Sequence, residues 1–248
     1  MVLSPLEASA EGTIDLAARH GLKTIGLIGA LARPAIIKGA LELARKKGLE
    51  VVVHDTFPAG TTDFSAILNK VKATKPDVLV VGAPPADAIA ITRQVRELDV
   101  DVKMYGATPG GAFPDYYKAL GNTAEFVYSG SQWEPGLPYP GNQEFVAAYQ
   151  KEFTRDPSSG SAASYAGCQL FVDAVKRADG LDSDKLWEAL LRLKSQTVIG
   201  DFAVDERGFQ VAHKAITIQW QDGKSAVVWP DEAATSKPRF PTPAWSQR

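Results

Sequence analysis

Gly26–Asp55, "GLIGALARPAIIKGALELARKKGLEVVVHD", decides how the chain is read. An apolar run ends in a glycine, an amphipathic stretch follows, and a second β-branched run ends on an acid, which is the order of a parallel strand-helix-strand unit. Pro34 suits a first helical turn, where its missing N–H costs nothing, and Gly48 after Arg45-Lys46-Lys47 suits a C-terminal stop with cations at the negative end of the helix dipole. The same unit opens dinucleotide-binding enzymes, whose turn carries G-x-G-x-x-G so that pyrophosphate can reach the backbone. Here Gly26 lies inside the strand, and Gly29 is followed by Ala30-Leu31-Ala32-Arg33 and then Pro34, which removes an N–H donor. Asp55 stands where a ribose-binding acid would, but acids end strands without any cofactor. NAD is therefore disfavoured, and no cofactor is expected.

The pattern repeats outward from this unit. "LKTIGLIG", "LEVVVH", "DVLVVGA", "VKMYGA" and "EFVYSG" read as strands, separated by helices over residues 34–47, 63–75, 86–98 and 113–120. Thr62 is placed to cap the second of these helices and Asp63 to favour its positive end. Strands rich in Val and Ile on both faces, alternating with amphipathic helices, predict an α/β lobe with a doubly wound parallel sheet.

Residues 131–142, "SQWEPGLPYPGN", break the alternation with Pro and Gly and mark a connector. Helices then follow near 142–154, 161–179 and 183–194 with no strand between them, and three amphipathic helices need an apolar surface that the five strands, already covered, do not supply. "KAITIQW" and "KSAVVW" flank Gln221-Asp222-Gly223, a hairpin signal. The tail from Asp231 reads as an extended segment with Phe240 and Trp245 as anchors.

Composition narrows the function. The 248 residues carry a formal net charge of −2, with 45% hydrophobic and 23% charged residues, so attraction to nucleic acid or an anionic membrane has little to work with. No apolar run approaches the ~20 residues of a membrane span, and "MVLSPLEASAEG" lacks the basic start and apolar core of an export signal. Cys168, the only cysteine, reads as a buried structural thiol beside the stripe Ala166, Leu170, Ala174 and Val175. His20, His54 and His213 have no neighbouring Ser, Cys or acid at an interpretable spacing and read as surface or edge residues. Nucleophile-elbow, zinc, C-x-x-C and P-loop motifs are lacking, so no catalysis and no metal are expected.

The loops that follow the strands are small and apolar: Gly29-Ala30-Leu31, Gly82-Ala83-Pro84-Pro85, Gly106-Ala107-Thr108-Pro109-Gly110-Gly111 and Ser129-Gly130-Ser131-Gln132-Trp133. Ligands of parallel sheets meet such loops, and these offer backbone N–H groups, a hydroxyl or two and an aromatic face without a charge.

"FPAGTTDFSAILNKVKATKPDVLVVGAPPADAIAITRQVRELDVDVKMYGATPGG", then "GNQEFVAAYQKEF" and "SYAGCQLFVDAVKRA", resemble the type I periplasmic substrate-binding proteins of ABC transporters, branched-chain amino acid class, from about Thr13 to Trp229. The resemblance implies a non-catalytic, periplasmic solute-binding protein that closes two lobes on a small carboxylate ligand and delivers it to permease subunits. It divides the chain into an incoming interlobe segment (1–21), the α/β ligand-binding lobe (22–131), a crossover with helices of a second, incomplete lobe (132–195), a β-hairpin region returning to the first lobe (196–230) and the tail (231–248). It also implies that most of an N-terminal lobe is lacking, which would leave an apolar surface open to self-association.

Amino acid binders of the family carry an acid in the loop after the fourth strand, where Thr108 stands here. A buried ammonium without a counter-charge costs several kcal/mol, so an α-amino acid ligand is disfavoured. With the short first loop Ala30 to Arg33, which lacks the family's tyrosine, and Pro84-Pro85 in place of another aromatic, the departures resemble the branch associated with aromatic acids. The contacts expected from this lobe are Ala30, Leu31, Ala83, Pro84, Thr108, Pro109 and Gly110, with the ring of Trp133 either stacking on the ligand or packing at the hinge. A ligand-sensing regulator domain of the same fold and, more remotely, an NAD-dependent oxidoreductase are the alternatives.

Overall fold

The computed structural model describes residues 2–247, which fall into two compact units: residues 6–131 with 216–247, and residues 2–5 with 132–215. The larger unit opens with helix α1 (Glu11–Arg19), then runs β1 (Thr24–Ala30), α2 (Pro34–Lys46), β2 (Glu50–Phe57), α3 (Ser65–Thr74), β3 (Val78–Ala83), α4 (Pro85–Glu97), β4 (Met104–Pro109), α5 (Pro114–Leu120) and β5 (Tyr128–Ser131). The sheet order is β2-β1-β3-β4-β5-β8-β9, where β8 (Ile216–Gln221) and β9 (Lys224–Trp229) are antiparallel additions at the β5 edge.

Residues 6–21, in the segment expected to be a connector, are part of the larger unit. Ala10, Ile14 and Ala17 are fully buried, a 3.6-period stripe that makes α1 a cover for the same sheet face as α2. The stripe is short and Ala-rich, which hides it in the sequence. Thr62 does not cap α3: its carbonyl accepts from Gln94 Nε2 (2.7 Å), and Asp63 Oδ1 takes the Ser65 amide (2.9 Å) instead. The closing hairpin turns on Asp222 (φ 53°) and Gly223 (φ 80°), both left-handed as a two-residue turn requires, and the Glu125 carboxylate accepts both of their amides at 2.9 and 2.7 Å.

The tail is strapped down. Phe240 stacks on His20 with ring centroids 4.0 Å apart, and Trp245 Nε1 donates to the Val100 carbonyl at 3.0 Å. Asp77 ties the amino ends of the strands: its carboxylate accepts the Lys23 and Thr24 amides and the Lys103 ammonium. The Lys103 bond, reinforced by the two amides, lowers its pKa to about 2.

The smaller unit contains α6 (Asn142–Phe153), α7 (Ser159–Ala178), α8 (Ser183–Arg192) and a two-stranded ladder, β6 (Ser195–Thr197) with β7 (Gly200–Phe202). Residues 196–215 belong here and not with the returning hairpin, because Val198, Ile199 and Phe202 bury against Trp133, Phe145 and Leu170. The helices have one covered face each at best. α8 has no buried residue although Leu186, Trp187, Leu190 and Leu191 share one side, and α7 exposes Tyr165, Phe171 and Val172 at about half of their surface. Cys168 lies on that open face and is exposed, so the expectation of a buried thiol fails. The buried stripe is Ala162, Ala166, Leu170 and Ala174, and residue 168 is turned away from it. No helix among the described residues is long and apolar enough to cross a membrane.

Candidate site at the carboxyl edge of the sheet

All five parallel strands end on one edge, at Ala30, Phe57, Ala83, Pro109 and Ser131. In the order 2-1-3-4-5 the chain leaves β1 and β3 in opposite directions, α2 on one face and α4 on the other. The gap between the loops after β1 and β3 is therefore the topological switch point, the place where open α/β sheets take ligands. Residues 31–33 follow β1 there, and Pro84 follows β3.

The glycines of this edge serve packing. A Cβ on Gly29 would lie 2.1 Å from Ile37 Cγ1 of α2, and one on Gly82 would lie 2.9 Å from Ile36 Cγ2. Side chains of the first turn of α2 thus pack directly on the backbone of β1 and β3.

The expected contacts separate into open and closed groups. Leu31 is 56% exposed, with its amide held by the Phe57 carbonyl at 2.9 Å. Pro84 and Pro109 are half-buried, and Ala30, Ala83 and Gly110 are buried. Gly110 begins a single turn whose position is fixed by Trp220 Nε1 donating to the Gly111 carbonyl at 2.7 Å, and a methyl on Gly110 would lie 2.7 Å from the Ala83 oxygen.

Two expectations need correction. The Thr108 side chain, 1% exposed, faces inward: its hydroxyl donates to the Ser9 carbonyl (2.7 Å) and accepts the Gly130 amide (3.2 Å), so its hydrogen bonds are spent inside the unit. Trp133 is 2% exposed and belongs to the smaller unit's core, where Nε1 reaches Asn142 Oδ1 (2.9 Å) and the Val198 carbonyl (3.0 Å) and the ring meets Phe145 edge-on. Neither face is open for stacking, which leaves the packing alternative.

The edge is also less neutral than its loops suggest. Arg33, the N-cap residue of α2, is exposed, and its guanidinium makes no hydrogen bond or ion pair among the described residues. Asp87, in the first turn of α4, is half-buried and likewise without a partner. Loop composition hides both, because each sits at a helix start just past the loop. His213, expected at the surface, is buried in the smaller unit, whereas His20 and His54 are exposed.

This architecture agrees with what comparison finds: the chain belongs to the periplasmic binding protein family, whose model matches residues 3–225. A Leu/Ile/Val-binding protein homolog of Brucella abortus is 28% identical over 207 residues, covering 79% of this chain and 52% of that protein. The chain thus spans about half the length of the curated relatives it matches. A solute-binding protein of an ABC transporter from Rhodopseudomonas palustris, solved with 3,4-dihydroxybenzoic acid, is 26% identical, covers 89% of this chain and 62% of that one, and superposes with a TM-score of 0.74. The substrate-binding protein LivJ of Streptococcus pneumoniae, solved with isoleucine, is 23% identical, covers 91% and 66%, and has a TM-score of 0.78.

Proposed function

We propose that the chain is the solute-binding component of an ABC importer, acting in the periplasm, without catalysis or cofactor, and presenting a small aromatic carboxylate to permease subunits. The observation that carries this reading is the switch point between β1 and β3, where small apolar loops lead into exposed Arg33, whose guanidinium has no partner among the described residues. Arginine pairs with carboxylates through two parallel N–H···O bonds, and Leu31, Pro84 and Pro109 offer an apolar wall for an aryl ring. The loop after β4 supplies no acid for an ammonium, and the dihydroxybenzoate-bound relative supports the same ligand class.

Asp87 favours a second reading, in which it pairs with the ammonium of an amino acid. Calorimetric titration with 3,4-dihydroxybenzoate and with leucine separates the two. The aryl acid is expected to bind at least about tenfold more tightly, and Arg33→Gln to weaken it by about ten- to a hundredfold, the scale of a lost charge-assisted bond. Leucine binding without aryl-acid binding, abolished by Asp87→Asn, overturns the first reading in favour of the second.

We further propose that the open face of α7 and α8 pairs with a second copy. A groove of about 250 Å³ lined by Val2, Leu170, Phe171, Trp187, Leu190 and Phe202 runs along this face, and exposed apolar area of this kind drives association. Light scattering after gel filtration is expected to show a dimer that Phe171→Glu with Trp187→Glu converts to monomer. A wild-type monomer at ~100 μM, where even a micromolar dimer would form, contradicts the pairing.

A further inference from the structure

The chain passes between its two units at three places, after residues 5, 131 and 215. Beside each crossing, on the smaller unit's side, stands one member of a buried polar cluster: Ser4, Gln132 and His213. The imidazole of His213 is 7% exposed. Its Nε2 lies 2.9 Å from the Gln132 carbonyl oxygen, which can only accept, so Nε2 carries the proton of the neutral ring. The Ser4 hydroxyl, 2.8 Å from Nδ1 and 2.8 Å from the His213 carbonyl oxygen, shares its one proton between these two acceptors. Two glutamines complete the knot. The Ser4 amide donates to Gln132 Oε1 at 3.1 Å. The Ala212 and His213 amides donate to Gln210 Oε1 at 2.8 and 3.1 Å, and Gln210 Nε2 donates to the Val2 carbonyl at 3.1 Å.

We infer that Ser4, Gln132 and His213 form an acid-sensitive clasp on the three crossing segments, closed around the neutral imidazole and released when the ring is protonated. The ring's two partners are a hydroxyl and a backbone carbonyl, so a proton added at Nδ1 creates a cation with no counter-charge in a buried site. Of the packed segments, residues 2–5 bring no charged side chain, residues 132–134 bring Glu134 and residues 210–215 bring Lys214. Neither bonds a ring nitrogen. Burial lowers the His213 pKa from the ordinary 6.5, opposed only by the Gln132 carbonyl. Because the folded value is depressed, the clasp's contribution is fully present above 6.5 and is lost as pH falls through that lower value.

The test is NMR on the intact chain: ring nitrogen titration of all three histidines, with amide exchange at pH 7.5 and pH 5 corrected for intrinsic rates. His213 is expected to titrate below the ordinary 6.5 and to be the Nε2–H tautomer at pH 7.5. Protection of the Ser4, Ala212 and His213 amides is expected to fall at least about tenfold on acidification, a change of roughly 1.4 kcal/mol in local opening. In His213→Asn the same amides should be insensitive to this pH step. Should that variant not fold, Ser4→Ala, which keeps the ring but removes its Nδ1 partner, should lower protection already at pH 7.5. Titration of His213 at or above the ordinary 6.5 overturns the inference. So does protection that persists through its titration, or an equal acid response in His213→Asn.

Discussion

Replacing Trp133 by alanine is expected to destabilise the smaller unit by about 3–5 kcal/mol, the range for deleting a large buried aromatic. The indole fills the centre of a small core made by Phe145, Ala162, Ala166, Val198 and Ile199, in which two of the neighbours are alanines that cannot swing in to close a cavity. Its N–H also satisfies Asn142 Oδ1, and Asn142, fully buried, spends its own amide on the Pro135 and Leu137 carbonyls. The deletion therefore leaves both a void and an unpaired acceptor at the start of α6. Trp133→Phe keeps most of the volume and loses the bonds, so a smaller loss of about 1–3 kcal/mol is expected. Urea unfolding followed by far-UV circular dichroism should show the smaller unit's transition moving to lower denaturant in this order. A loss below about 1 kcal/mol for the alanine variant would contradict the placement of the ring in the core.

Gly130→Ala is expected to damage the α/β lobe to a comparable degree. A Cβ there would lie 2.0 Å from the Ser9 carbonyl oxygen and 2.9 Å from Thr108 Oγ1. The same Ser9 oxygen accepts the Thr108 hydroxyl, and the Gly130 amide donates to that hydroxyl, so three segments meet in one bonded triangle with no flexible atom to give way. Overpacking against mobile side chains costs about 1–3 kcal/mol, and against backbone the upper end of that range or more applies. Gly136→Ala, with nothing within 4 Å of its added methyl, is the control and should change stability by less than roughly 0.5 kcal/mol. Equal melting of the two variants would show that the loop before α1 can retreat from β5.

The larger unit was legible because its signals are long and repeated. Five β-branched runs, each followed by a helix-length amphipathic stretch, leave few alternatives to a parallel sheet, and Asp222-Gly223 announces the hairpin at its edge. α1 was not legible, since Ala10, Ile14 and Ala17 give a stripe of only three residues, and its burial depends on a sheet assembled from distant segments. At the candidate site, the loops were readable from strand order alone, but the direction of each side chain was not. Thr108 looks like a free hydroxyl until the register of β4 turns it toward Ser9, and Trp133 looks like a platform until α6 and the β6–β7 ladder close over it. Arg33, Asp87 and His213 were missed for the opposite reason: what distinguishes them is the partners that their side chains lack or find, and those come from chain segments far away in sequence.

The most direct test of the account is backbone-amide NMR of the chain titrated with 3,4-dihydroxybenzoate, the acid held by the Rhodopseudomonas palustris relative. The expected result is saturable shifts confined to the carboxyl edge of the sheet, at Leu31, Ala32, Arg33, Ala83, Gly110 and Gly111, with leucine at the same concentration leaving these amides in place. Shifts at the opposite edge, around Glu50, Val78 and Met104, or no shifts at all would contradict it.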